Sequence, residues 1–412
     1  MGTLLLYIDP GTGTMLIAAL FGILSTLLFA GKKVLLALRF LLTGGKAKQK
    51  ETDELPCVFF SDDKRYQSTF APLLVEMKKR KQKVYYWTAS PDDPLLEWKD
   101  PFIETEFIGE GNRAYARLNR MKARVCLSTT PGLEVYQWKR SKETKTYVHI
   151  LHAVGSALNY RMFGLDFFDQ ILVSGPVHER EIRELEAIRH LAAKQVEQVG
   201  CPYLDELKKR YDGVKKRKAG ERTLLLSPSW GKSGLLSVYG AELIEAIMDT
   251  GYRLIIRPHP QSKTSEKDML EPLMKQFPDG EKVAWDLSDD NFYALLMADL
   301  MITDFSGVIF DFCLVFDKPI LYAEDVFDPS PYDAAWLDHP LWKYSVLPQL
   351  GKKLTREDLP GLKEMVDEVL SEDRYEKGRK AAREGLWPVE GEGAARTVDA
   401  LLKQIAISDK ER

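Results

Sequence analysis

The sequence predicts an α/β protein of two tandem units, each a parallel sheet covered by helices. The units face each other across a cleft and follow an apolar N-terminal segment. Three observations predict this. At 412 residues the chain is too long for one ordinary core and suits two globular domains with additions. Through most of it, short apolar runs of strand character alternate with segments of helical period. That alternation restarts after a charged stretch over residues 205–221. Such a pattern builds parallel sheets, because each return to a parallel strand needs a crossover that a helix supplies.

Taken in order, residues 1–50 form the apolar segment and its basic flank. Residues 51–210 form the first domain and 211–412 the second, whose last helix is able to pack back on the first. Residues 14–31 read TMLIAALFGILSTLLFAG, without a charge. As a helix this stretch rises about 27 Å, near the ~30 Å thickness of a hydrocarbon core. Lys32, Lys33 and Arg39 follow at once, then Lys46, Lys48 and Lys50, whereas no Lys or Arg precedes them. The positive-inside rule then places the rest of the chain in the cytoplasm, at the inner face of the membrane. A cleaved signal peptide is disfavoured, since its basic residues would come before the apolar run. Residues 34–42 continue the apolar character around Arg39, so an in-plane, monotopic anchor is the alternative to a single span.

After a polar linker, residues 56–60 read as a short buried strand, 66–81 as a helix and 83–87 as a second strand. Further strands are expected at 123–128, 146–151 and 170–174, with a helix from about Glu179. The charged stretch 205–221, with Gly213 and Gly220, reads as the interdomain connection. The second unit then shows strands at 223–227, 253–257, 282–285, 300–303 and 317–322. Its helices are expected at 239–250 and 287–297, the latter with Ser288 and Asp289 at its cap. Neither unit carries a GxGxxG, which directs the ligand to the cleft between them.

Bulk chemistry narrows the function. A net charge of −3 gives no footing for a nucleic-acid partner. Cys57, Cys126, Cys201 and Cys313 are widely spaced, without a CxxC pair or a nearby His. That argues against zinc and against a disulfide framework, and it fits a reducing compartment. No Asp-x-Asp metal motif is evident, so the reading requires neither a metal nor a cofactor.

Four segments carry the chemistry. In residues 302–311 (ITDFSGVIFD) a buried strand ends at Thr303 and a helix is expected to begin near Ser306. Backbone N–H groups, Ser306 and the small Gly307 at a positive helix end would seat a pyrophosphate. An ordinary N-cap is the other reading of the same residues. In Arg257-Pro258-His259-Pro260 two prolines fix the backbone around His259 at a strand end, where a near-neutral imidazole suits proton transfer or a phosphate contact. In residues 149–156 (HILHAVGS) a strand again ends in a small-residue loop. His152, nearer the strand end, is assigned to the cleft and His149 to the sheet. Ser229, just after the first strand of the second unit, offers a hydroxyl beside Trp230. His178, His190 and His339 receive no role.

In this order and at these intervals, the four segments resemble the CDP-glycerol glycerophosphotransferase family, which makes teichoic acid primers and polymers. The block TDFSGVIFDFCLVFDKPILY is similar to the family's Thr-Asp-Tyr-Ser-Ser segment with its following helix, Asp and Lys-Pro. Arg-Pro-His-Pro matches directly, and FFDQILVSGPVHERE with VGCPYLDEL resembles the family's link between domains. The resemblance covers residues 56–405. It implies a GT-B-like fold, two Rossmann-like domains with the nucleotide mostly in the second. It further implies His152 as base, His259 as the second functional histidine, and Thr303, Asp304, Ser306 and Gly307 as the pyrophosphate turn. Asp311 follows one helical turn on, and Arg257, Ser229, Gly155 and Ser156 complete the substrate-binding set.

Two departures stand out. The family's His-Gly-Thr-x-x-Lys loop reads His152-Ala153-Val154-Gly155-Ser156 here, without the Gly after His or a following Lys, and the second Ser of the turn is Gly307. The implied partners are CDP-glycerol or a related nucleotide-diphosphate donor, a lipid-linked or glycan acceptor, and the membrane. The alternatives are a nucleotide-sugar transferase of the same fold for capsule or lipid-linked glycan, a UDP-sugar epimerase, and a non-catalytic nucleotide-binding membrane protein.

Overall fold

The computed structural model describes residues 54–214, 221–323, 328–371 and 374–410. The apolar segment at 14–31 lies outside them. Among the described residues no helix is long and apolar enough to cross a membrane.

Two all-parallel sheets form the frame. The first holds β1 (Leu55–Ser61), β2 (Val84–Thr88), β3 (Ile103–Phe107), β4 (Ala123–Ser128), β5 (Thr144–Ile150), β6 (Gln170–Val173) and β7 (Gln195–Gln198). Their order is β3-β2-β1-β4-β5-β6-β7. The second sheet holds β8 (Thr223–Ser227), β9 (Arg253–Ile256), β10 (Val283–Trp285), β11 (Leu300–Thr303), β12 (Ile320–Ala323) and β13 (Gly351–Leu354), ordered β10-β9-β8-β11-β12-β13. In each sheet the strand order reverses beside the first strand, at β1/β4 and at β8/β11, and ligand crevices open beyond the strand ends at such points.

The main helices are α1 (Gln67–Lys79), α2 (Asn112–Leu118), α3 (Pro176–Ile188), α4 (Pro202–Gly213), α5 (Leu235–Asp249), α6 (Lys267–Gln276), α7 (Phe292–Met297), α8 (Leu362–Ser371), α9 (Glu376–Leu386) and α10 (Gly393–Lys410). Central strands are apolar on both faces because helices cover both. In β1, Cys57 and Phe59 pack under α1 with Phe70 and Leu73, while Val58 and Phe60 pack on the other side with Leu118 and Trp138. Each fully buried Phe contributes about 1.5–3 kcal/mol. The closing helix α10 lays Val398, Ala400 and Leu401 into the α1 side of this first core.

Several expectations are corrected. The charged stretch 205–221 runs between β7 of the first sheet and β8 of the second, but its first part belongs to a helix, α4, that was not expected. Pro202 sits in its first turn, and Leu204 and Leu207 are buried on one face, so amphipathic packing outweighs the charge. The helix expected from Ser288 starts only at Phe292, since Asp290 accepts the Phe292 N–H (3.1 Å) while residues 287–291 remain a loop. The strands β3, β7 and β13 were not expected. They are sheet edges reading IETEF, QVEQ and GKKL, and an edge strand needs little apolar patterning.

Candidate active site

At the first domain's rim, Asp63 accepts the Arg65 N–H (2.9 Å) and caps a single 3-10 turn, Lys64–Tyr66, directly after β1. This turn brings the Tyr66 ring against His152, with centroids 4.8 Å apart. His152 lies two residues past β5, half-buried, with Tyr160 on another side at 6.5 Å. Its Nδ1 is enclosed without a hydrogen-bond partner among the described residues. Burial, assisted by the charge of Arg65, pulls its pKa down to about 4. The ring is therefore neutral at physiological pH and able to take a proton. His149 points into the sheet, fully buried, with Nε2 3.2 Å from Tyr160 Oη.

The loop after His152 is held from below by α3. His178 donates from Nε2 to the Gly155 carbonyl (2.7 Å), and Glu181 accepts the Ala157 N–H (2.9 Å). Both side chains are buried, which pulls His178 down to about 4 and pushes Glu181 up to about 7. Ser156 Oγ accepts the Leu158 N–H (3.1 Å) and starts the next short turn. Gly155 and Ser156 thus shape the loop that presents His152.

At the second domain's rim, Asp304 is the organising residue. It is 1% exposed, and its carboxylate accepts the Ser229 N–H on both oxygens (3.0 and 2.9 Å), the Leu235 N–H (2.9 Å) and the Ser306 N–H (3.2 Å). A carboxylate at the start of α5 takes the place an anionic ligand would otherwise fill there. Asp304 therefore builds the turn rather than facing a ligand. Thr303 Oγ1 donates to the Ser227 carbonyl (2.7 Å), tying β11 to β8. Ser306 and Gly307 follow, half-buried and exposed, and a Cβ on Gly307 would meet nothing within 4 Å. The helix begins later than expected, as Val308–Phe310, and continues as a π-turn, Asp311–Val315.

Ser229 is buried in a loop fixed twice: by Asp304 and, at Gly231, by Glu266, which accepts the Gly231 N–H (2.8 Å). Trp230 in that loop is 49% exposed, its ring 6.3 Å from that of His259. His259 is half-buried, and its Nδ1 accepts the Gln261 N–H (3.1 Å), which leaves the proton of the neutral ring on Nε2. Burial lowers its pKa first, and Arg65 of the opposite domain lowers it further. The two rims meet at the loop that carries Tyr160, through the Arg161–Tyr332 bridge and the Phe163 N–H to Asp333 (2.9 Å).

Two assigned residues stand apart. Arg257 is buried and paired with Asp286 (2.6 Å), with Ser288 Oγ at 3.3 Å. Asp311 is turned to α4, where its carboxyl accepts from Tyr203 Oη (2.7 Å). Burial pushes it up to about 7 against the opposing hydrogen bonds of Tyr203 and Asn291. Sequence reasoning missed Arg65, Tyr66, His178, Glu181 and Glu266. Only the three-residue spacing of His178 and Glu181 on one helical face was a local signal. Among the described residues no group of three His, Cys, Asp or Glu is placed to hold a metal.

The profile of the CDP-Glycerol:Poly(glycerophosphate) glycerophosphotransferase family matches residues 46–335, well over half of the chain. No curated protein sequence matches significantly. Among solved structures, the wall teichoic acid polymerase TagF soaked with CDPG is similar at 16% identity and a TM-score of 0.56, covering 91% of this chain and 97% of that one. A putative UDP-N-acetylglucosamine 2-epimerase from Listeria monocytogenes reaches 0.56 at 15% identity, over 86% and 97%. The S. aureus MnaA–UDP co-structure reaches 0.54 at 11%, over 86% and 97%. At these identities the structures attest the two-sheet, GT-B-like fold, whereas the profile attests the family. The chain belongs to the CDP-glycerol:poly(glycerophosphate) glycerophosphotransferase family and is an enzyme of that transferase type.

Proposed function

We propose that the protein moves a glycerol-phosphate, or related polyol-phosphate, unit from a CDP-activated donor to an acceptor hydroxyl during synthesis of a teichoic-acid-like envelope polymer. The observation that carries this is the family match over residues 46–335, which includes His152 just past the end of β5 and His259 just past the end of β9. The uncharged run at residues 14–31, followed by lysines, supports attachment to the cytoplasmic face of the membrane.

The donor's diphosphate lies at the Ser306–Gly307 turn, with the nucleoside over the second domain. An acceptor hydroxyl enters beside His152, whose neutral ring removes its proton. The oxygen attacks the distal phosphorus, forming a new P–O bond as the bond to the CMP oxygen breaks. CMP leaves as a phosphate anion, and His259 donates to it from Nε2. Positioning and charge stabilisation supply most of the rate, and the base adds on the order of 10²–10⁴-fold.

The test titrates the protein with CDP-glycerol, CDP-ribitol, UDP-N-acetylglucosamine and CMP, then follows CMP release in wild type, His152→Ala and His259→Ala. Binding confined to cytidine nucleotides, with release abolished in both variants and the fold intact, is expected. Binding confined to the UDP-sugar would move the protein to the nucleotide-sugar transferases. Near-normal release in either variant would remove that histidine from the mechanism.

A further inference from the structure

The proposed reaction leaves one cleft residue without a task. The turn Lys64–Tyr66 projects from the end of β1. Tyr66 packs on His152, and the Arg65 guanidinium lies over the Tyr66 ring, 5.7 Å from its centroid. Its ion pair is local, to Asp63 at 2.9 Å, and the side chain is 69% exposed. A guanidinium carries five N–H donors in a fixed fork, so one carboxylate contact leaves most of them for a ligand.

Geometry sets this turn on the side where the rims meet, since Tyr66 and Tyr160 flank His152. The Tyr160 loop bonds to the second domain through the Asp333 N–H to the Tyr160 carbonyl (3.0 Å) and the Phe163 N–H to Asp333 (2.9 Å). The charge of Arg65 acts on His259 as well as on His152. Its neighbour Lys64, paired first with Asp92, also feels Asp289 of the second domain. The phosphorus must lie between the base on one rim and the diphosphate turn on the other, where a fixed cation offsets the charge of the group being transferred. Arg65, over the Tyr66 ring that packs on His152, is a cation placed beside that base.

We propose that Arg65 is the first domain's contact to the distal phosphate of the donor, a guanidinium fork that joins the two rims through the group being transferred. This rests on the reading of the cleft as a nucleoside-diphosphate site. The proximal phosphate is held by the second domain alone, so the contact separates CDP from CMP.

Calorimetric titration of the full chain with CDP and CMP tests it in wild type, Arg65→Gln and Arg65→Lys. Wild type binds CDP more tightly than CMP. Arg65→Gln loses about 10-fold in CDP affinity, the worth of one charge-assisted hydrogen bond, and stays within about 2-fold for CMP. Arg65→Lys falls between, since a point charge replaces the fork. With CDP-glycerol as substrate, kcat of Arg65→Gln drops on the order of 10²-fold. A glutamine variant that keeps the preference for CDP, or loses both nucleotides equally, overturns the assignment of Arg65 alone. Wild-type protein that binds neither nucleotide overturns the donor reading and the assignment together.

Discussion

Replacing Asp304 by alanine removes the acceptor that three backbone N–H groups share. Those of Ser229 and Leu235 belong to buried residues, while Ser306 is half-buried and within reach of water. A hydrogen bond to a charged group contributes about 1.5–3 kcal/mol, and a buried donor left without an acceptor costs about 1–3 kcal/mol. Counting the two interior amides fully and discounting Ser306, the expected loss is about 4 kcal/mol. For a domain of this size that lowers Tm by roughly 8–16 °C. Asparagine keeps the volume but turns one accepting oxygen into a donor facing donors, so about half the loss is expected. Calorimetry and guanidinium denaturation check both variants, using the transition of the second domain where the two domains unfold apart. Because Asp304 also fixes the loop through Ser229 and the turn at Ser306, CMP should no longer raise Tm in the alanine variant. An alanine variant within about 1 kcal/mol of wild type would refute the argument, since the orphaned amides would then have found other partners.

The remaining predictions concern the rims. His152 acts as a neutral base whose pKa is depressed by burial and by Arg65, so protonation removes activity only well below the ordinary histidine value. The acid limb of kcat/KM for CDP-glycerol should therefore fall below pH 6.5, towards 4, and a limb at or above 6.5 would contradict the enclosed ring. A Cβ on Gly234 would lie 2.4 Å from the Ser229 carbonyl oxygen, a clash the backbone has to relieve. Gly234→Ala should cost about 1–3 kcal/mol and weaken CMP binding by displacing the Ser229 loop. Unchanged CMP affinity by titration would show that this loop does not touch the nucleotide.

Much of the frame was legible because hydrophobic patterning is a local property. β4, β8 and β11 carry the expected bounds, since a strand buried on both faces must be apolar throughout. The same rule hid the edges. β3, β7 and β13 face a neighbouring strand on one side only and tolerate Glu, Gln and Lys, so their sequences carry no signal of pairing. α4 was hidden differently: its Leu204 and Leu207 meet a buried surface only after the sheets are assembled.

For the site, the sequence by itself determined which segments end strands: His152 after β5, His259 after β9, Asp304 after β11. It also held the motif spacing that marks the family. What only the tertiary structure decided is where each polar group points. Asp304 turns inward to three amides, Asp311 turns to Tyr203, and Arg257 is taken up by Asp286. His178, which received no role from the sequence, and Glu181 hold the His152 loop from beneath. These partners are separated by between 23 and 108 positions in the chain, apart from Ser306 beside Asp304. Periodicity fixes which face of an element is buried, whereas the order of strands in the sheet fixes which distant loop a buried polar atom meets.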